Sequence, residues 1–227
     1  MFLTEKTEKV KREVSKLLSS DKTGHGYDHT ERVLRLSLCF AEKENADKNL
    51  TALVALLHDV DDYKFVGKEK SGELGNARQI MEKCNITDDI QNAVISAIKT
   101  IGYSKRLAGI TPEAIEAKIV SDADMCDALG VNGFLRTYRY SLNKNRPFFV
   151  RNIFPRENLS AESYIDKSDG TGVGHIFEKI LKLKNMMLTE PGKAEASLRH
   201  VITKEMLRSF FEEVNAPEWI AYLEKAE

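Results

Sequence analysis

The sequence predicts an all-α protein, on three observations. Only five prolines and 13 glycines occur among 227 residues, so long stretches contain no helix breaker. Lys, Glu, Leu and Ala, which favour helices, dominate these stretches, and the alternation typical of half-buried strands is scarce. Apolar residues make up 42% of the chain, which is enough to form a sizeable core. We therefore expect a helical bundle.

The first half of the chain is predicted to begin with an amphipathic helix over about 4–20, followed by a loop at 21–28. A second helix is predicted from Asp28, a good N-cap residue, to about residue 45. Its apolar positions repeat at the spacing of one helical face. This stripe consists of His29, Val33, Leu36 and Phe40.

The run ALVALLHDV at 52–60 is almost entirely apolar. It predicts a short, fully buried helix that ends in His58 and Asp59. A buried strand is the alternative, because periodicity does not separate the two structures in so short a run. Further helices are predicted at about 73–84, 87–101, 112–129 and 131–142.

Residues 143–171 differ in composition, with Pro, Asn, Ser and Gly throughout. They predict a long irregular loop or lid. Two long helices are expected next, near 172–189 and 193–214, before a turn at Pro217 and a short tail helix. The aromatic group within the irregular segment has three interpretations, a lid, a dimer contact or plain core. Its members are Phe148, Phe149 and Phe154.

Charge and cysteine content exclude several classes of protein. The formal net charge is -1, which gives no bulk attraction to nucleic acid or to an anionic membrane. No apolar stretch approaches the ~20 residues of a transmembrane helix, and charges interrupt the N-terminus where a secretory signal would be apolar. The three cysteines are far apart, as expected of free thiols in a reducing compartment. We expect a cytoplasmic protein with no nucleic-acid or membrane partner; a homodimer stays open.

Three separated segments carry the residues that suit a metal site. Burying the carboxylate of Asp59 beside His58 requires a nearby cation, either a metal ion or a basic side chain. His29 lies on an apolar helical stripe, where a core histidine is the alternative to a ligand. In SDADMCDALG, Asp124 and Asp127 share one helical face and Asp122 points about 200° away from Asp124. Geometry alone does not choose among these aspartates, and capping or salt bridges would also explain them.

Two imidazoles and two carboxylates together form a mixed nitrogen and oxygen donor set. Such a set suits Mn²⁺, Fe²⁺, Co²⁺, Ni²⁺ or Zn²⁺ and tolerates Mg²⁺. An octahedral ion with four protein ligands keeps about two open positions, one for water and one for a phosphoryl oxygen. The constellation therefore predicts metal-dependent hydrolysis of a phosphate bond.

Four sequence segments resemble the HD superfamily of metal-dependent phosphohydrolases, and within it the small bacterial family that includes YpgQ. These segments are HGYDHTERVLRL, ALLHDVDDYKF, SDADMCDALG and HIFEKILKLKNMMLTEPGK. The resemblance covers roughly residues 15–215. It implies an all-helical HD fold and places the last ligand on the second aspartate of the DAD segment. We expect one domain over 1–227, with a metal-binding core at about 20–135 and C-terminal helices at about 172–215 packing on it. The implied metal ligands are His29, His58, Asp59 and Asp124.

The resemblance also implies a reaction, the cleavage of (deoxy)nucleoside triphosphates to monophosphate and pyrophosphate by metal-bound water. Mn²⁺ is the expected ion. A 5′-nucleotidase, a phosphodiesterase and a non-catalytic nucleotide-binding protein are the alternatives. Residues 60–123 contain no histidine, which disfavours the second metal that many HD phosphodiesterases carry.

Several further residues match family positions near the site. The predicted catalytic residues are His58, Asp59 and Asp62. Asp62 would orient water or move a proton, provided that the helix continues past His58. The alternative is a solvated helix end. Substrate phosphate is predicted to contact His25, Lys64 and Lys99. A plain surface position is the alternative for Lys64. His175 lies in another segment that resembles the family.

Overall fold

A computed structural model describes residues 3–19, 26–156 and 170–225, without the side chains of Lys64, Phe65 and Lys68. All regular secondary structure in these residues is helical, which confirms the predicted all-α class. The contacts divide the chain into two compact units, Met1–Asp124 and Met125–Glu227. A single domain over 1–227 stays a prediction.

The helices lie close to the predicted positions. In the first unit they are α1 (Glu5–Leu18), α2 (Tyr27–Glu44), α3 (Lys48–Leu57), α4 (Tyr63–Val66), α5 (Lys68–Ser71), α6 (Gly75–Lys83), α7 (Asp88–Ile98) and α8 (Tyr103–Leu107). Helix α9 (Ile115–Asp127) crosses the boundary between the units. The second unit holds α10 (Gly130–Asn143), α11 (Gly172–Glu178), a 3-10 helix (Ile180–Met186), α12 (Glu190–Glu213) and α13 (Pro217–Lys225). Helices α4, α5 and α8 were not predicted, because one turn shows no apolar periodicity.

Helix α3 lies at the centre of the first unit, where it contacts α1, α2 and α7. Every residue from Thr51 to Leu57 is buried, and the segment is a helix, not the alternative strand. At its start, the Asp47 carboxylate accepts hydrogen bonds from the amides of Asn49 and Leu50 at 2.8 and 3.0 Å. These bonds satisfy amides that have no partner within the helix.

Helix α2 begins one residue before the predicted start. Gly26 is its N-cap residue, so the prediction of Asp28 as the cap is wrong. Asp28 lies in the first turn and accepts a hydrogen bond from Arg32 at 3.1 Å. An acidic side chain is favourable in the first turn as well as at the cap, because both lie at the positive end of the helix dipole. The predicted inner stripe of α2, from His29 to Phe40, is buried.

The predicted helix at 172–189 is wrong in its second half. Helix α11 ends at Glu178, and the backbone departs from helical angles at Lys179, with φ -129° and ψ -59°. The chain then continues as the 3-10 helix, in which residues three apart lie above one another. This arrangement brings both Ile180 and Leu183 into the interior.

The irregular segment is confirmed where the structure describes it. Residues 144–156 and 170–171 form neither helix nor strand. Residues 157–169 lie outside the described part, so the lid stays a prediction.

The aromatic residues of this segment pack against the aromatic core of the second unit. Phe154 stacks on Trp219, with ring centroids 4.5 Å apart and planes 5° apart. Phe149 meets the same indole edge-on at 5.2 Å, and Phe148 contacts Phe210 at 5.6 Å. Trp219 is fully buried. Phe148 and Phe149 are half-buried and Phe154 is 44% exposed, so the group packs onto the core and is not part of its interior. The lid and the dimer contact stay predictions.

No helix in the described residues is both long enough and apolar enough to cross a membrane.

Candidate metal centre

His29 enters the site from the buried face of α2. Its side chain has no exposed surface, because the stripe that carries it packs against α3. Its Nε2 lies 3.4 Å from a carboxylate oxygen of Asp59 and 3.4 Å from one of Asp124. The alternative of a histidine packed only against apolar core is therefore not what the structure contains.

His58 is the C-cap residue of α3. Its Nδ1 lies 2.8 Å from the carbonyl oxygen of Ala55. Since a carbonyl only accepts, Nδ1 donates this bond, and in the neutral ring Nε2 then offers its lone pair. That Nε2 is buried and makes no hydrogen bond within the described residues. A metal ion would satisfy it, and a backbone carbonyl behind the other nitrogen is the usual support of a histidine ligand.

The donor atoms converge on one point. Ligand atoms of His29, His58 and Asp59 lie within 4.8 Å of one another, a spacing that would hold a metal ion. Nε2 of His58 is 3.5 Å from Asp59 Oδ2 and 4.0 Å from Asp124 Oδ1. The two imidazole rings meet edge-on, with centroids 5.4 Å apart. All four groups lie in the first unit.

Helix α9 offers three aspartates, and their surroundings differ. Asp127 is buried and forms an ion pair with Arg136 at 2.7 Å. Asp122 is completely buried. Asp124 has an oxygen near both imidazoles, and its side chain keeps 25% of its surface exposed. Asp124 is thus the aspartate that geometry favours, in agreement with the family resemblance.

The histidines change the acidity of Asp124. Burial raises the pKa of its carboxyl, but a hydrogen bond to His29 and the charges of His58 and His29 outweigh burial, so the pKa lies below its usual value. The neighbouring Asp59 opposes this by raising the pKa. Asp124 is therefore ionised at neutral pH, as a metal ligand must be.

These residues fit a divalent metal ion. Two neutral imidazoles and two carboxylates match the preferences of first-row ions. The imidazoles are buried, whereas Asp59 and Asp124 are partly exposed, at 16% and 25%. The site is consequently open on its carboxylate side, where a catalytic metal centre needs room for water and substrate.

The other predicted residues are less well placed by the structure. Helix α3 ends before Asp62, so the expected helical turn is absent, although the Asp62 amide donates to the Asp59 carbonyl at 3.1 Å. Lys99 is exposed at the end of α7. His25 and the Lys64 side chain lie outside the described residues. His175 lies on α11, in the second unit.

Asp61 is a buried residue that sequence reasoning missed. Its two carboxylate oxygens accept the amides of Asn76 and Ala77, each at 2.9 Å. One feature of the sequence points indirectly to such a residue. The N-cap position of α6 is Leu74, and not a Ser, Thr, Asp or Asn that could cap the helix. A helix that lacks its own cap needs an acceptor from elsewhere in the chain.

Comparison with known proteins identifies the family of this chain. The family model of the HD domain matches residues 26–129, which include all four convergent groups. A Lactobacillus plantarum protein of solved structure is 31% identical, with 95% of this chain and 100% of that chain covered and a TM-score of 0.81.

Two Bacillus proteins are also similar over most of their length. An HD-superfamily hydrolase from Bacillus thuringiensis is 30% identical, with a TM-score of 0.71 over 93% of this chain and 98% of that chain. Bacillus subtilis YpgQ, solved in complex with ADP, is 24% identical, with a TM-score of 0.70 over 90% of this chain and 97% of that chain. The chain therefore belongs to the HD superfamily and is a metal-dependent hydrolase.

Proposed function

We propose that this protein hydrolyses (deoxy)nucleoside triphosphates to the monophosphate and pyrophosphate at one Mn²⁺ ion. The proposed ligands are His29, His58, Asp59 and Asp124. The observation that carries the proposal is the approach of His29 Nε2 to both carboxylates, at 3.4 Å each, with His58 Nε2 facing the same two groups. When bound, the ion would supply Lewis acidity toward a phosphoryl oxygen and would lower the pKa of a coordinated water.

The chain's own residues have distinct tasks in this proposal. His58 is oriented by Ala55, so its ring is set before a ligand arrives. Asp62 follows Asp59 in a hydrogen-bonded turn, and we assign it the proton that the attacking water loses. Lys64, Lys99 and His25 would offset the charge of the phosphate chain.

The nucleotide part of the proposal has two supports. The first is that YpgQ, which shares the fold, was solved in complex with ADP. The second is that four sequence segments of this chain resemble the family of that protein. Attack of water at the α-phosphorus of a triphosphate yields the monophosphate and releases pyrophosphate, which distinguishes this reaction from a 5′-nucleotidase that releases inorganic phosphate.

The test is a panel of ribo- and deoxyribonucleoside mono-, di- and triphosphates, incubated with the full chain and Mn²⁺. Pyrophosphate and inorganic phosphate are measured separately. We expect pyrophosphate from triphosphates, and a loss of at least about 100-fold in kcat for the double substitution His58→Ala with Asp59→Ala. Asp28→Asn is the matched control, because this carboxylate is exposed on α2 beside His29 and forms an ion pair with Arg32 at 3.1 Å.

The outcomes separate the parts of the proposal. Release of inorganic phosphate from monophosphates would replace the pyrophosphohydrolase with a nucleotidase at the same site. Undiminished activity in the double variant would remove the four convergent residues from the reaction altogether.

A further inference from the structure

Asp61 follows the His58-Asp59 pair at a distance of two residues and is almost completely buried, at 5% exposure. Its Oδ1 accepts the Asn76 amide and its Oδ2 accepts the Ala77 amide, both at 2.9 Å. In the described part of the chain these two amides, and no basic side chain, are its partners. A buried carboxylate held in this way is tied to the position of those amides, because leaving it unsatisfied would be strongly unfavourable.

Both amides belong to the first turn of α6. The N-cap position of this helix is Leu74, which provides no side-chain hydrogen bond. A carboxylate placed there pairs with amides that have no partner within the helix and lies at the positive end of the helix dipole. Asp61 therefore caps α6 from another part of the chain.

A second contact links the same two segments. The Asn76 side-chain amide donates to the carbonyl oxygen of Val60 at 2.9 Å. Together, three hydrogen bonds fix residues 60–61 against the start of α6. On its other side the His58-Asp59 pair is held by α3, which ends at His58. The pair thus lies between two anchored segments.

We propose that Asp61 and Asn76 position His58 and Asp59 for metal binding. We name this pair of residues the α6 clamp. The inference rests on the proposed metal site and adds residues that do not touch the ion. Metal affinity depends on ligand placement to within about 0.5 Å, so a turn freed from α6 would bind the ion more weakly without losing a ligand.

The test is a calorimetric titration of the full chain with Mn²⁺. Asp61→Asn keeps the size of the side chain but replaces one acceptor by a donor, and we expect its Kd to rise about 10-fold or more. Asn76→Ala removes only the contact with Val60, and we expect a smaller rise in Kd. Asp47→Asn is the matched control, since Asp47 also accepts two helix amides but lies about 16 Å from His58 at the far end of α3.

Each variant is titrated at a temperature where circular dichroism shows the helix content of the wild type. A Kd for folded Asp61→Asn equal to that of the wild type would overturn the inference, as would an equal rise in the Asp47→Asn control. If Asp61→Asn does not fold, Asn76→Ala decides, because it leaves Asp61 intact. Absence of Mn²⁺ binding by the wild type would refute the proposed function and the clamp together, whereas normal binding with unaffected variants would refute the clamp alone.

Discussion

Two buried histidines in this chain have opposite electrostatic surroundings. Nε2 of His58 lies near the carboxylates of Asp59 and Asp124. His200, on α12, is buried near Lys184 and Lys204, and its Nδ1 has no hydrogen-bond partner in the described residues. Burial, followed by the charges of the two lysines, lowers the pKa of His200, against a hydrogen bond to Leu181. The surroundings of His58 therefore suit the binding of a cation, whereas those of His200 keep its imidazole neutral.

The lowered pKa of His200 predicts an acid sensitivity. As pH falls through ~6.5, the unfolded chain protonates this residue before the folded chain does. The unfolded state then binds more protons, so stability declines until the lower folded pKa is passed. We expect urea unfolding to show a larger loss of stability between pH 7.5 and 5.5 in the wild type than in His200→Gln, which cannot titrate. Equal losses in the two proteins would contradict this prediction.

At the scale of residues, the sequence indicated which side chains converge better than it indicated the contacts that hold them in place. His29 was identifiable from its place on a helical stripe, and His58-Asp59 from an acid at the end of an apolar run. Asp124 was selected only by the resemblance of its segment to the family, because helical geometry alone did not choose among three aspartates. Asp61 was missed because its partners lie 15 and 16 residues away, and a contact that distant leaves no periodic signal.

At the scale of elements, α10 depends on one close backbone approach. A Cβ added to Gly133 would lie 2.0 Å from the carbonyl oxygen of Ala128 and 2.2 Å from its carbonyl carbon. Backbone atoms at that distance cannot be displaced by a rotamer change, so the helix or the preceding turn must shift. Glycine is required here by space, although the position is helical.

Gly133→Ala is accordingly expected to lower the free energy of unfolding by at least about 2 kcal/mol, as overpacking of a core does. Chemical denaturation followed by circular dichroism measures the change. Gly72→Ala is the control, because its added Cβ meets nothing within 4 Å and its φ is -72°. That control should be neutral or slightly stabilising, and an equally small change in Gly133→Ala would show that the clash is relieved at no cost.

Helix prediction succeeded where amphipathic periodicity extended over several turns, as in α1 and α2. It failed at 179–186, where the residues are equally apolar and helix-forming but the backbone adopts the 3-10 form. The choice between these helices is made by packing, which brings Ile180, Leu181 and Leu183 inside. Such tertiary effects override intrinsic propensity and cannot be seen in a local window.

At the scale of the whole molecule, a metal site links ligand binding to stability. An ion that binds only the folded state stabilises it by about 2.7 kcal/mol at 100 times its Kd. For a chain of this length we expect Mn²⁺ to raise Tm by roughly 5–10 °C. Thermal unfolding with and without the ion measures this shift.

The double variant His58→Ala with Asp59→Ala controls this experiment. It should show no rise in Tm at the same Mn²⁺ concentration, since two of the four donors are missing. A rise of equal size in both proteins would mean that the ion binds elsewhere, for which the 35 acidic side chains offer many weak sites.

The single tryptophan of the chain, Trp219, has a practical consequence. It lies in the second unit, packed among aromatic rings and with its indole nitrogen donating to the Arg151 carbonyl at 2.8 Å. Its fluorescence emission therefore reports on that unit and not on the one that holds the candidate metal centre. An emission maximum that moves to longer wavelength at the denaturant midpoint of total helix loss would indicate a single cooperative transition. Separate midpoints would reveal two independently melting halves.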